Sequence, residues 1–238
     1  MNPPLQQDAT LLTRWNALAA RIDQATEAAG RPQGSVRLLA VSKTFDAQAV
    51  AQVHANGQQA FGENYIQEGV QKIAELKHLR ANLEWHCIGP VQSNKTRQVA
   101  EWFDWVQTID RLKVAQRLND QRPEGLPALN VCIQVNVDRG LNKSGVAVEQ
   151  AHELAHEVLA MPRLRLRGLM CIPDPVDGFE LQCERFERAH AIYRQWQTLA
   201  DTVDTLSMGM SGDLEAAVAS GSTMVRVGSA LFGSRAAA

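Results

Sequence analysis

Apolar positions along this chain change their spacing repeatedly. Leu11, Leu12, Trp15, Leu18, Ala19 and Ile22 recur at helical spacing, which predicts one amphipathic helix over roughly the first 30 residues. Gly30 and Pro32 end it. From Val36 onward a different rhythm begins. Short β-rich runs at 36–42, 59–62, 84–89, 103–109, 129–137, 164–171, 204–208 and 223–228 alternate with helical patterns. Those patterns lie at 46–56, 65–79, 93–101, 111–120, 147–160, 179–200, 213–219 and from Ser229 on. Eight strand–helix units predict an α/β fold with a parallel sheet. Two architectures suit that order, a (β/α)8 TIM barrel and a doubly wound open sheet. The open sheet has five to seven strands as a rule, and often a glycine-rich first turn. Here the first strand runs into SKTFD, without glycine. The barrel is therefore the expectation. No low-complexity linker divides the chain, and 121–130 (QRPEGLPALN) reads as a helix-to-strand connection. Residues 1–238 are expected to form a single barrel domain, with the 1–30 helix packed on it.

Composition narrows the class without choosing a function. At 238 residues, 45% apolar and 21% charged, the chain is an ordinary globular one, not a disordered or fibrous one. A net charge of −2 supplies no broad basic field for nucleic acid or anionic lipid. No apolar run approaches the roughly 18 residues of a membrane span, and MNPPLQQDAT lacks the pattern of a secretory signal. Cys87, Cys132, Cys171 and Cys183 form no C-x-x-C pair, and the first three sit in apolar runs. They read as free thiols packed as small hydrophobes, which points to a reducing, cytoplasmic setting.

In a barrel, chemistry sits at the C-terminal ends of the strands. In order, those ends carry Lys43; Glu63 and Asn64; His86, running into Gly89; Asn136; Met170; the stretch Ser207 to Gly212; and Arg226, Gly228 and Ser229. The set holds a lysine, an arginine, amides, hydroxyls and glycine-rich turns, but neither a carboxylate pair nor a cluster of metal ligands. Lys43 follows LLAVS, so its amine is placed at the rim of an apolar barrel. Desolvation there favours the neutral amine that attacks a carbonyl to form a Schiff base. The plainer reading is a lysine whose head simply reaches water. The turns after strands seven and eight tip the balance, because that is where barrels bind phosphate. Ser211-Gly212-Asp213 opens one helix, with Ser211 as the expected cap, and Gly228-Ser229 opens the last. Glycine admits the phosphate close to backbone N–H groups at a helix start. A Schiff-base lysine with a phosphate cradle describes a pyridoxal 5′-phosphate site. Alternation with Val225 and Val227 puts Arg226 on the opposite face from those valines. From there it can donate to a pyridine nitrogen, keep it unprotonated and weaken the ring as an electron sink.

At these residues the chain resembles the YggS/PROSC family of pyridoxal phosphate homeostasis proteins. The matching segments are LLAVSKT (38–44), FGENYIQE (61–68), WHCIGPVQSNK (85–95), IQVNV (133–137), KSG (143–145), RGLM (167–170), LSMGMSGD (206–213) and VRVGSALFG (225–233). They span nearly the whole chain and keep the family's order. The resemblance implies a fold-type III barrel, similar to the N-terminal domain of alanine racemase. It implies that Lys43 carries the cofactor as a Schiff base. Ser211, Gly228 and Ser229 would hold the phosphate, and Arg226 would face the pyridine nitrogen. Asn64 would lie beside the cofactor, with His86, Asn136 and Met208 lining the pocket. The chain departs from the family's usual HFIG-LQ-NK at Cys87 and at Pro90-Val91. Cys87 is expected to face the core or the pocket wall, and Pro90 to alter the loop after strand three. The resemblance further implies a protein without turnover of its own, a monomer that buffers pyridoxal phosphate or delivers it to apo-enzymes.

Three other readings compete. A racemase needs a second base facing the cofactor, commonly a tyrosine from a further domain. The only tyrosines here are Tyr65 and Tyr193, and only Tyr65, at the start of the second barrel helix, is placed to approach the mouth. With eight units and a leading helix using all 238 residues, no further domain is expected. A metalloprotease is suggested by His152-Glu153-Leu154-Ala155-His156, a literal H-E-x-x-H. That segment falls on an outer helix, without an evident third ligand. A partner-binding module could use the basic loop 92–98 with Lys95 and Arg97, which otherwise reads as a solvated loop.

Overall fold

The computed structural model describes residues 9–138, 140 and 144–233. Lys143 of the KSG segment, residues 1–8 and residues 234–238 lie outside that set. The strands are β1 (Arg37–Val41), β2 (Ala60–Glu63), β3 (Glu84–Cys87), β4 (Trp105–Ile109), β5 (Leu129–Asn136), β6 (Val146–Ala147), β7 (Leu164–Met170), β8 (Thr205–Ser207) and β9 (Met224–Val227). All pairings among them are parallel. β1 pairs with β2 on one side and β9 on the other, and β4 pairs with β5, so eight strands close into a barrel. The two-residue β6 hangs on β5 as an outer addition. The sequence pattern did not anticipate β6, because two residues carry no periodicity.

The helices α1 (Ala9–Ala28), α2 (Ala47–Ala55), α3 (Ile66–Glu75), α4 (Thr96–Trp102), α5 (Leu112–Gln121), α6 (Val148–Leu159), α7 (Phe179–Trp196), α8 (Leu214–Ala219) and α9 (Ser229–Phe232) fill the intervals. Local chemistry explains several boundaries. The Asp46 carboxylate accepts the Ala49 amide at 2.8 Å and caps α2. The helix expected over 65–79 ends at Glu75 and tightens into a 3₁₀ segment, Lys77–Asn82. α1 lies across α8 and α9. Arg21 forks onto Glu215 at 2.6 and 2.7 Å and reaches the Ser211 carbonyl at 3.0 Å. Arg14 donates to the Phe232 carbonyl at 3.2 Å.

Alternation sorts the side chains into two cores. Outward residues such as Val106, Val131, Leu166, Val225 and Val227 join the helices in one large apolar cluster. Inward residues form two small clusters, Leu39–Ala60–Met224 and Trp105–Cys132–Met170. A column of polar side chains rises with them inside the barrel. Two register shifts interrupt the sheet: between β4 and β5, Val106 pairs with Val131 but Ile109 with Ile133, and between β5 and β7, Val131 pairs with Leu166 but Cys132 with Gly168. Gly168 has φ +141°, and a Cβ there would run into the Thr205 carbonyl oxygen, so only glycine fits. All four cysteines are unpaired, and burial pushes the thiols of Cys87, Cys132 and Cys171 up to about 12. Among the described residues no helix is long and apolar enough to cross a membrane.

Candidate functional site

Leu39, Val41 and Lys43 share one face of the chain, so β1 carries an apolar inward row that ends in an amine. Val41 and Lys43 both line a cavity of about 470 Å³ at the C-terminal mouth of the barrel. Asn64, one residue beyond β2, and Ile88, one beyond β3, form the neighbouring wall. Gly89 lets these two connections cross closely, since a Cβ at 89 would collide with the Asn64 carbonyl. Arg226 rises from β9, and Gly228 and Ser229 follow it into α9. Met210, Ser211 and Gly212 enter from the turn before α8, while Phe45 and Ile172 complete the apolar rim. Phe45 is held in place by stacking on Phe232, with ring centroids 4.8 Å apart.

Among the described residues, this lining contains two cations, Lys43 and Arg226, and no carboxylate. Lys43 is half-buried and Arg226 is buried. Burial lowers the pKa of Arg226 from the ordinary arginine value, yet such a group keeps its charge. Its Nη1 donates to Ser207 Oγ at 2.9 Å and its Nη2 to the Cys171 carbonyl at 2.9 Å. Two of five N–H donors are thereby committed, and the rest stay available to a ligand. The turn before α8 differs from expectation. Asp213, not Ser211, stands at the N-cap position, and its Oδ1 accepts the Met210 amide at 2.6 Å. That bond turns the carboxylate away from the cavity, whose lining does not include it. Ser211 instead lines the mouth half-buried, beside Gly212. Gly228 stands at the N-cap of α9, where first-turn amides have no helical acceptor.

Beneath Arg226 the polar column continues through the barrel. Ser207 Oγ lies 2.6 Å from Gln107 Oε1, Gln107 Nε2 lies 2.9 Å from His86 Nδ1, and His86 Nε2 lies 2.8 Å from Glu84 Oε1. Arg37 closes the base with a 2.8 Å bond to the same Glu84 oxygen. Direction follows from chemistry. Arg226 can only donate, so Ser207 passes its single proton to Gln107 Oε1. The Gln107 amide then donates to His86 Nδ1, which leaves the imidazole proton on Nε2, facing Glu84. Burial pulls the pKa of His86 below the imidazole range, outweighing the pull of Glu84. Burial pushes the Glu84 carboxyl up, but the His86 hydrogen bond and the Arg37 guanidinium outweigh it and hold the group at about 2.

Of the expected site residues, Lys43, Asn64, Ser211, Arg226, Gly228 and Ser229 therefore meet around one cavity. His86 lies deeper, fully buried and stacked on Trp105 at 4.8 Å. Met208 is fully buried in the outer core. Asn136 is half-buried, with its Nδ2 on the Gly140 carbonyl at 2.8 Å. Alternation could have placed Met208, since its neighbour Ser207 points inward. Phe45, Ile88 and Ile172 were not anticipated as lining, because apolar residues near strand ends look like any other core. Cys87 faces the outer core. Pro90 lines an adjoining cavity of about 320 Å³, which shares Asn64, Ile88 and Ile172 with the first. Tyr65 is exposed and outside the lining, while Tyr193, on α7, is buried and also outside it. His152 accepts the Trp196 indole N–H at 3.1 Å, and the described residues contain no group of three or more metal-ligating side chains.

Comparison with known proteins fits this geometry. Residues 14–236 match the model of the alanine racemase N-terminal domain. A Pseudomonas aeruginosa protein named pyridoxal phosphate homeostasis protein is 55% identical over 230 residues, covering 95% of this chain and 96% of the relative. The Escherichia coli K12 protein of the same name is 52% identical over 216 residues, 90% of this chain and 92% of the relative. Synechococcus elongatus PipY, solved with PLP bound, is 34% identical with a TM-score of 0.81, covering 94% of this chain and all (100%) of that one. Alanine racemase from Corynebacterium glutamicum shares the fold at a TM-score of 0.63 and 19% identity; the match covers 94% of this chain and 62% of the racemase.

Proposed function

This chain belongs to the alanine racemase N-terminal domain family, and from that premise we propose that it is a pyridoxal 5′-phosphate carrier acting in vitamin B6 homeostasis. The observation that carries the reading is a cavity whose only described charges are Lys43 and Arg226, flanked by two Gly/Ser turns. The site fits the group. Its volume lies in the range of small-ligand pockets, and nothing in the lining repels a phosphate dianion. When bound, pyridoxal phosphate supplies a reactive aldehyde on an electron-accepting ring.

Each residue then has a task. Lys43 holds the aldehyde covalently through its Nζ, as a Schiff base. Ser211, Gly228 and Ser229 receive the phosphate, with amides and hydroxyls as donors. Arg226 donates to the ring nitrogen and, having no lone pair, takes no proton from it. Its bonds to Ser207 and the Cys171 carbonyl fix the guanidinium at the cavity, where it would meet the ring nitrogen. Asn64 stands beside Lys43 as a polar neighbour of the aldehyde. His86, Asn136 and Met208 act from outside the lining: His86 through the polar column, Asn136 through its bond to the Gly140 carbonyl and Met208 through packing. The names of the relatives support storage and delivery over turnover. The lining also offers no second base opposite Lys43 among its described residues, which a racemase requires. On this reading the protein works in the cytoplasm as a monomer, and its recipients are pyridoxal-phosphate-dependent apo-enzymes.

The test is spectroscopic. Wild-type protein incubated with pyridoxal phosphate should acquire a visible absorbance band that borohydride bleaches, with the added mass on the Lys43 peptide. Lys43→Ala should show neither. Covalent attachment at another lysine, or equal attachment in the variant, overturns the assignment.

A further inference from the structure

Directly behind the Lys43 turn lies a buried ionic cluster that the cavity does not use. Glu63 ends β2 fully buried, with its side chain facing away from the cavity. Lys72, on α3, has a side chain only 5% exposed. Its Nζ donates to Glu63 Oε1 at 2.8 Å, to Glu68 Oε1 at 2.6 Å and to the Ser42 carbonyl at 2.7 Å. Those three bonds use all three of its protons. Two further bonds reach the chain around Lys43. Ser42 Oγ donates to Glu63 Oε1 at 2.6 Å, and the Thr44 amide donates to Glu68 Oε1 at 2.6 Å. The cluster thus grips the residue before Lys43 and the residue after it.

The gripped turn is an unusual one. Thr44 has φ +70°, the only described non-glycine residue in the left-handed region. A β-branched residue adopts that conformation only where its surroundings over-determine it. The cluster is also an inefficient way to stabilise a fold. It buries charge, and Glu63 Oε2 has no partner at all. Apolar packing at such a place is commonly as stable or more so. What apolar packing cannot do is hold a carbonyl at 42 and an amide at 44.

We propose that Lys72, Glu63 and Glu68 are positioning residues that fix the 42–44 turn and so aim the Lys43 amine into the cavity. This rests on the reading that Lys43 attaches the aldehyde of pyridoxal phosphate.

The test separates aiming from packing by using two ligands on the full chain. Pyridoxal phosphate can attach to Lys43. Pyridoxine 5′-phosphate has the same ring and phosphate but no aldehyde, so it reports the rest of the cavity. The variants are Glu68→Gln and the double change Glu63→Gln with Lys72→Met, which leaves no unpaired buried charge. Attachment rate is followed by absorbance, and pyridoxine phosphate affinity by calorimetry. We expect attachment to slow about tenfold in the double variant and less in Glu68→Gln, since small misplacements of a reacting group have effects of that order. Pyridoxine phosphate affinity should stay within about twofold of wild type. Unchanged attachment in both variants, or equal losses for both ligands, overturns the proposal. If wild type attaches nothing while binding pyridoxine phosphate normally, the carrier reading itself fails.

Discussion

Two buried polar systems flank the mouth of this barrel, and they are built on opposite principles. The inner column, Arg226–Ser207–Gln107–His86–Glu84, is a one-way chain of donors in which each link satisfies the next. Only its ends are charged, and the lower end meets a second guanidinium from Arg37. The outer cluster packs two carboxylates around one ammonium and leaves Glu63 Oε2 unpaired. The column orients a side chain that faces the cavity, whereas the cluster spends its bonds on backbone atoms beside Lys43. A permanent cation such as Arg226 needs only to be aimed. A reactive amine needs its stem placed while its tip stays free, so support has to come through the main chain.

The sharpest way to break this comparison is to remove one charge from the outer cluster. Lys72→Met alone strands Glu63 without its counter-charge and should cost about 3 kcal/mol in urea unfolding. Adding Glu63→Gln should recover most of that loss. A double variant as unstable as the single one would show that Lys72 acts through packing alone. In the column, by contrast, no neutral partner exchange is available. Gln107→Leu leaves His86 Nδ1 without its donor and Ser207 Oγ without its acceptor, and should cost about 2 kcal/mol. Adding His86→Leu should not restore it fully, because the Ser207 hydroxyl proton still lacks its acceptor and Glu84 loses its His86 donor, keeping only Arg37.

Acid separates the two systems by sign. Glu84 is held at about 2 in the fold against 4.5 for a free carboxyl, so its contribution is present above 4.5 and lost as pH falls toward 2. His86 acts in the same direction. Its folded pKa is lowered, so the unfolded chain takes up the proton first as pH drops below about 6.5. Glu63 acts oppositely. Burial raises its pKa despite Lys72, so protonation in the window just above 4.5 favours the fold. Thermal midpoints measured against pH should therefore fall on acidification in wild type. The fall below pH 4.5 should be shallower in Glu84→Gln, by about 1 kcal/mol after screening, and the fall just above 4.5 steeper in Glu63→Gln. Parallel profiles for all three proteins would refute the assigned signs.

Much of this molecule was legible from spacing. The alternation of β runs with helices led to the closed parallel barrel, and the valines around Arg226 placed its guanidinium inside. The glycine–serine turns were found where the mouth lies. What spacing missed has identifiable causes. β6 and the register shift at Gly168 are too short to leave a period. The N-cap position of α8 fell two residues later than expected, on Asp213, whose carboxylate turns back to the Met210 amide and caps no amide of the helix. Lys72 and Glu68, four apart on α3, look like any exposed helix pair. Only the packing of α3 against the end of β1 turns them into a buried clamp.

The depth of a residue along the barrel separates what the chain order decides from what the assembled fold decides. Alternation is local, so each strand could be read separately for its inward face. His86 and Ile88 both belong to the inward row of β3, and nothing in the sequence distinguishes them. Two residues of rise separate them by about 6.6 Å, which is the difference between a pocket wall and the interior column. That height depends on the stagger of every strand against its neighbours around a closed circuit. Closure is a property of the whole sheet, and it brings Lys43 and Arg226, 183 positions apart in the chain, to the same rim.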